Sequence, residues 1–187
     1  MLKEHSPQKE TLLSEIYISV DIETSGPIPS LYSMLSVGAA VVGNTRQNFY
    51  RELKPTSYLF IPEALNVSGF DLKTLEKTGT DPKIAMQDFE TWIKQVSNGK
   101  KPVFTAFNAT FDWSFVNYYF HENLKRNPFG ISGLDIKAYY MGKFNTSWGE
   151  TSKRRLDKQF LSKKPHTHNA LDDAIEQAEI FEKMLVK

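Results

Sequence analysis

The chain has 187 residues, no cysteine and a formal net charge of +1, with 23 Lys and Arg against 22 Asp and Glu. That length suits one domain. The missing cysteine excludes a disulfide framework and a thiolate metal site, and the near-neutral charge excludes a polycation that binds nucleic acid with its whole surface.

Residues 1–14 are polar and charged, and are expected to form an N-terminal extension to a single domain over 15–187. They lack the apolar segment of a signal peptide, and no apolar run of the chain approaches the ~20 residues of a membrane span. The cytoplasm is the default expectation. Residues 16–20 are β-branched and aromatic, which predicts a buried strand that delivers Asp21 and Glu23 at its end. Alternation along an extended chain puts both carboxylates on one face. Gly26, Pro27 and Pro29 stop this strand. Residues 34–43 and 47–53 read as a second and third strand, with Gly43 and Asn44 at a hairpin turn.

Asp81 followed by Pro82 marks a helix start. Ala85, Phe89, Trp92, Ile93 and Val96 form its apolar face, and Asn98 with Gly99 ends it. Asp88 and Glu90 on this helix repeat the Asp-x-Glu pattern, but are expected to face solvent and to be inert. Residues 102–107 predict another buried strand. Asp112 follows at the start of a helix whose aromatic stripe, Phe111, Phe115, Tyr118 and Tyr119, is expected to be mostly core. Residues 131–140 predict a strand or a strand-to-helix turn, and 145–155 are polar and unpatterned. A basic patch of Lys153, Arg154, Arg155, Lys158, Lys163 and Lys164 is opposed in sequence only by Asp157. It reads either as a solvated loop or as a phosphate contact. The last helix presents Leu171, Ala174, Ile175, Ala178, Phe181, Met184 and Leu185 on its apolar face. Three early strands followed by alternating helices and strands predict a mixed sheet between helices.

Three separated motifs carry acidic groups. The first is Asp21, Ile22, Glu23, Thr24, Ser25, Gly26; the second runs from Asn108 to Asp112; the third runs from His168 to Ala174 and holds Asp172 and Asp173. Hard divalent cations take oxygen ligands, so carboxylates converging from separate elements suggest a site for magnesium or manganese. A histidine beside them can deprotonate a water. Together these features point to metal-assisted phosphoryl chemistry. Taken singly, Asp112 is better explained as a helix cap, and only its place among the other motifs reverses that reading. Asn169 as N-cap gives Asp172 a structural position at the positive helix end. His166 competes with His168, while His5 and His121 belong to no motif.

The order and spacing of these motifs resemble the DEDD exonucleases that carry histidine in the third motif, the DEDDh or DnaQ-like family. It includes the proofreading subunit of bacterial DNA polymerase III, oligoribonuclease and ribonuclease T. The first motif is matched by Asp21, Glu23, Thr24 and Gly26, the second by Asn108, Phe111 and Asp112, and the third by His168, Ala170, Leu171 and Asp173. The resemblance covers residues 15–185 and implies an α/β, ribonuclease H-like fold, with a central mixed five-stranded sheet flanked by helices. It implies a metal-dependent 3′–5′ exonuclease that releases nucleoside 5′-monophosphates from single-stranded DNA or RNA. Asp21, Glu23, Asp112 and Asp173 would hold two Mg2+ or Mn2+ ions, and His168 would be the general base.

The same resemblance makes Thr24 and Asn108 substrate-binding residues. Similarity to ribonuclease T segments adds Glu63 and Phe129 as contacts to the last bases. The chain departs from ribonuclease T at Pro27 and Val67, where that enzyme has phenylalanines that stack on bases. Phe107 stands where the family usually has histidine. The expected partner is the 3′ end of a single-stranded nucleic acid, without a membrane. A homodimer and a DNA polymerase or repair partner stay open. The alternative is a nucleic-acid-binding or polymerase-associated module with secondary or lost hydrolysis; the intact carboxylates and histidine argue against it.

Overall fold

The structure, a computed structural model, describes residues 14–161 and 168–186. Of the expected N-terminal extension, only Ser14 is among them. Five strands form a mixed sheet in the order β3-β2-β1-β4-β5. Strand β1 (Glu15–Thr24) lies at its centre, antiparallel to β2 (Met34–Val41) and parallel to β4 (Lys101–Ala106). Strand β3 (Asn44–Glu52) pairs with β2, and the short β5 (Gly133–Asp135) with β4.

Strand β1 is longer than its apolar run predicts and carries both acidic residues within it. The ladder to β2 continues past the apolar residues, pairing Asp21 with Gly38 and Glu23 with Ser36 before an irregularity at Glu23/Thr24. Ladder hydrogen bonds come from the backbone, so a charged side chain does not end the strand when one sheet face is open to it. The β2–β3 hairpin turns at Gly43, whose φ of 84° suits glycine.

Among the described residues, six helices flank the sheet. Helices α1 (Pro62–Ser68) and α2 (Leu72–Thr78) follow β3, and α3 (Pro82–Ser97) precedes β4. Helix α4 (Ala109–Leu124) follows β4, and α5 (Ile136–Phe144) follows β5. A 3-10 turn (Trp148–Thr151) and α6 (Ala170–Val186) complete the described chain. The start of α3 is as expected: Asp81 accepts from the backbone of Lys83 at 2.9 Å, and Pro82 occupies the first turn.

Alternation along β1 separates two environments. Ile18, Val20 and Ile22 point into a core with Phe89, Phe104, Phe115 and Phe120 from β4 and the helices α3 and α4. Asp21 and Glu23 belong to the opposite face, towards α6, where Tyr17 meets Phe181. In the aromatic stripe of α4, Phe115 and Tyr119 are core, as expected, while Phe111 is exposed. Among the described residues no helix is long and apolar enough to cross a membrane.

Glu90 corrects the expectation of a solvent-facing Asp-x-Glu on α3. It is only 6% exposed, because it shares a helical stripe with the buried Met86, Ile93 and Ser97. Arg126 grips its carboxylate through two bonds of 2.8 and 2.7 Å, and Lys94 adds a contact at 3.2 Å. Asp88 points elsewhere and pairs with Arg51 at 3.2 Å on a partly exposed surface.

Candidate active site

The acidic face of β1 meets the start of α6. Asn169 accepts from the backbone N–H of Leu171 at 3.0 Å and of Asp172 at 3.3 Å, so it caps the helix. Asp172 is exposed in the first turn, whereas Asp173 is rotated by about 100° about the helix axis and is buried. The helix start can come this close because β2 carries Gly38 opposite Asp21. A Cβ on Gly38 would overlap the carbonyl of Ala170 and the amide of Leu171. As a result, carboxylate oxygens of Asp21, Glu23 and Asp173 all lie within 4.8 Å of one another.

Asp112 enters from the second motif. It lies in the first turn of α4, buried, and accepts from the backbone N–H of Ile22 at 3.2 Å. This ties α4 to the residue between Asp21 and Glu23. It is not a helix cap: the N-cap position is Asn108, with φ 58°, and the free N–H of Ala109 donates to Asp135 at 2.7 Å. The other oxygen of Asp135 accepts from Ala138 at 2.9 Å, so one carboxylate steadies the starts of both α4 and α5.

These acids are under electrostatic stress. Burial pushes Asp21 well above the usual carboxylate range, with further repulsion from Asp112, Asp173 and Glu23 and partial relief from Lys153. Burial and then Asp173 push Glu23 up to about 7. Burial likewise raises Asp112 to about 8, against the pull of backbone N–H donors that include Ile22. Such a set favours its charged form only when positive charge is supplied. Among the described residues the converging group is Asp21, Glu23 and Asp173, all oxygen donors, which fits a hard divalent cation.

His168 immediately precedes the capping Asn169 and is exposed, with φ 53°. His166 lies outside the described residues, as do Lys163 and Lys164. Thr24 is buried, and its hydroxyl donates to the carbonyl of Gly26 at 2.9 Å, closing the turn after the first motif. Asn108 is exposed, and its side-chain oxygen accepts from Lys137 at 2.8 Å. Glu63 is exposed in the first turn of α1, a helix held to the first motif by the Ile61 N–H to Ser25 carbonyl bond of 2.8 Å.

One expectation is corrected here. Phe129 does not offer its ring to a base: it is 5% exposed and packs edge-on against Phe89, Phe104 and Phe120. The turn after α4 folds it into the main core, where its apolar area is better used. Two residues of the basic patch have acidic partners. Lys153 pairs at 2.5 Å with Glu176, a counter-charge that folding brings near, and Arg155 pairs at 2.6 Å with Glu150, five residues earlier in the chain. Phe107, in place of the family's usual histidine, is buried with Ile136 and Tyr140 and lies beneath the Lys153 ammonium, 5.7 Å from the ring centre.

Three residues of the site escaped the sequence reading: Gly38, Asp135 and Gln177. Gln177 is buried, and its amide donates to Asp21 at 2.5 Å. Its signal was present, since it follows Asp173 by one helical turn and interrupts the apolar face of α6. Gly38 gave no such signal within its apolar strand.

A family model described as exonuclease (RNase_T) matches residues 18–181. The chain is 49% identical over 168 residues to the 3′-5′ DNA exonuclease Cap18 of Escherichia coli, covering 89% of this chain and 90% of that protein. The nuclease domain of 3′hExo, a DEDDh family member solved with rAMP, superposes with a TM-score of 0.73 at 17% identity, over 91% of this chain and 92% of that one. Exonuclease I of E. coli, solved with a dT13 oligonucleotide, gives 0.68 at 16% identity, over 90% of this chain but only 40% of that one. The chain likewise spans 63% of the 3′-exonuclease solved on a histone mRNA stem-loop. These solved structures share the ribonuclease H-like fold with this chain.

Proposed function

The chain belongs to the exonuclease family that matches it over residues 18–181, and on that premise we propose that this 3′–5′ exonuclease removes nucleoside 5′-monophosphates from the 3′ end of single-stranded DNA. The observation that carries the chemistry is the convergence of Asp21, Glu23 and Asp173 within 4.8 Å, with Asp112 locked beside them. DNA is favoured over RNA by the 49% identity to a DNA exonuclease. The single strand is favoured by the local rather than duplex-wide distribution of basic residues.

Asp21, Glu23, Asp112 and Asp173 would hold two divalent ions, Mg2+ or Mn2+. Such ions supply charge opposite the phosphate, an acidified water and stabilisation of the departing 3′ oxygen. His168, exposed at the lip of α6, takes the proton of the attacking water. Thr24 holds the turn on which the terminal nucleotide rests. Asn108 has its oxygen occupied by Lys137, so its NH2 is the group it presents to a phosphate. Glu63, exposed on α1, faces the last base. Residues 15–187 act as a single exonuclease domain, with the cytoplasm as its compartment. The reading needs neither a homodimer nor a polymerase partner, because one chain provides every acidic group.

Matched 5′-end-labelled single strands of DNA and RNA, digested with Mg2+ or Mn2+, test this reading. Stepwise shortening from the 3′ end is expected, faster on DNA, dependent on the metal and absent in Asp21→Ala. Internal cleavage, shortening from the 5′ end, or full activity in EDTA would overturn it. Faster digestion of RNA would reverse the substrate preference.

A further inference from the structure

Gln177 lies one turn beyond Asp173 on α6 and is 2% exposed. Its side-chain oxygen accepts from the backbone N–H of Phe107 at 2.8 Å. A backbone N–H can only donate, so this bond fixes which end of the amide is which. The NH2 end must then face Asp21, where it donates to Oδ1 at 2.5 Å. One buried amide therefore touches all three acidic motifs: it sits on the helix of the third, holds the backbone just before Asn108 of the second, and grips the carboxylate of the first.

We propose that Gln177 is a positioning residue that holds Asp21 in its metal-binding orientation by occupying one carboxylate oxygen and leaving the other for the cation. This rests on the reading of Asp21 as a metal ligand. A neutral donor suits the task. It favours the ionised carboxylate through a hydrogen bond, without bringing a positive charge that would compete with the metal. The bond also restricts rotation of a carboxylate that has three acidic neighbours pushing it away. Partners of this kind, one step behind the ligands, commonly govern metal affinity by 10–100-fold.

Two nearly isosteric changes separate positioning from mere support. Gln177→Glu keeps an oxygen for the Phe107 N–H but sets an acceptor against Asp21. Gln177→Leu removes both bonds. The Mn2+ dissociation constant is measured by calorimetry on each full chain, alongside metal-free melting and turnover over a metal titration. Both variants are expected to bind Mn2+ about 10–100-fold more weakly, and excess metal should restore much of their turnover. A purely supporting role predicts instead that Gln177→Glu matches wild type in metal affinity, and that result would overturn the proposal. Should Gln177→Leu fail to fold, Gln177→Glu decides alone; should both fail, Gln177→Asn, which keeps the amide but shortens its reach, must show the same loss. Asp21→Ala is the reference. If it retains wild-type Mn2+ affinity, the ligand assignment itself is wrong; if it loses metal while Gln177→Glu does not, only the role of Gln177 falls.

Discussion

The carbonyl of Ala170 sits where a side chain on Gly38 would lie, and Gly38 is the ladder partner of Asp21. The first turn of α6 is thereby seated directly on the strand beside the first motif, which brings Asp173 to Asp21. Gly38→Ala should push this turn outwards by an overlap that backbone atoms cannot avoid. A misplacement of this kind is expected to cost about 10²-fold in turnover, with a stability loss of about 1–3 kcal/mol from overpacking. Steady-state kinetics and thermal melts read the two effects separately. A Gly38→Ala enzyme with wild-type turnover would show that the close seating is not needed.

The raised acids predict an unusual pH dependence for the metal-free protein. Glu23 moves from 4.5 to about 7 and Asp112 from 3.8 to about 8. A group with a higher pKa folded than unfolded binds its proton more tightly in the folded state. Its contribution is whole below the unfolded value and is lost as pH rises through the folded one. In EDTA, melting temperature should therefore fall between about pH 5 and about pH 9. Mn2+ replaces those protons, so the rise in melting temperature on adding it should grow across the same window. Glu23→Gln and Asp112→Asn should each flatten the metal-free slope. A wild-type slope of opposite sign would mean that these carboxyls are not under the stress described.

The two histidines near the third motif should separate in kinetics. His168→Ala is expected to lower turnover by about 10²–10⁴-fold, the range for losing a general base, while Mn2+ affinity survives because the carboxylates bind it. His166→Ala should have a much smaller effect. Turnover at saturating substrate and metal distinguishes them, and a large defect in His166→Ala alone would transfer the base to that residue.

Two further substitutions distinguish site from scaffold. Phe129→Ala removes a core ring and should cost about 3–5 kcal/mol of stability, with KM for a single strand unchanged in the protein that remains folded. An increased KM without lost stability would restore its base-binding role. Asp88→Ala, in the second Asp-x-Glu, should leave activity near wild type. If it matched Asp21→Ala in damage, the first motif would have been misassigned.

Much of the acidic cluster was legible along the chain because the spacings that build it are local. The alternation of β1 places Asp21 and Glu23 on one face, and the Asn169 cap separates exposed Asp172 from buried Asp173. The family spacing of His168 and Asp173 points to the same segment. Chain-order patterning likewise anticipated the mixed sheet, the limits of α3 and the strand-to-helix turn at β5. Where local pattern and tertiary burial compete, it failed. Glu90 looked solvent-facing beside Asp88 but is a buried ion-pair centre. Phe129 looked like a stacking ring but is core.

The sequence by itself determined the oxygen-rich donor set, the helix and strand that carry most of it, and the family to which such a set belongs. These depend on residue type and on spacings within one element. Only the tertiary structure decided that Gly38 lets α6 approach Asp21, that Asp135 steadies two helix starts, and that Gln177 reaches Phe107 and, 156 positions away in the chain, Asp21. It also decided that Glu176 takes up part of the basic patch. Those outcomes rest on which backbones meet and which polar groups must be satisfied once water is excluded, and no periodicity within a single segment encodes them.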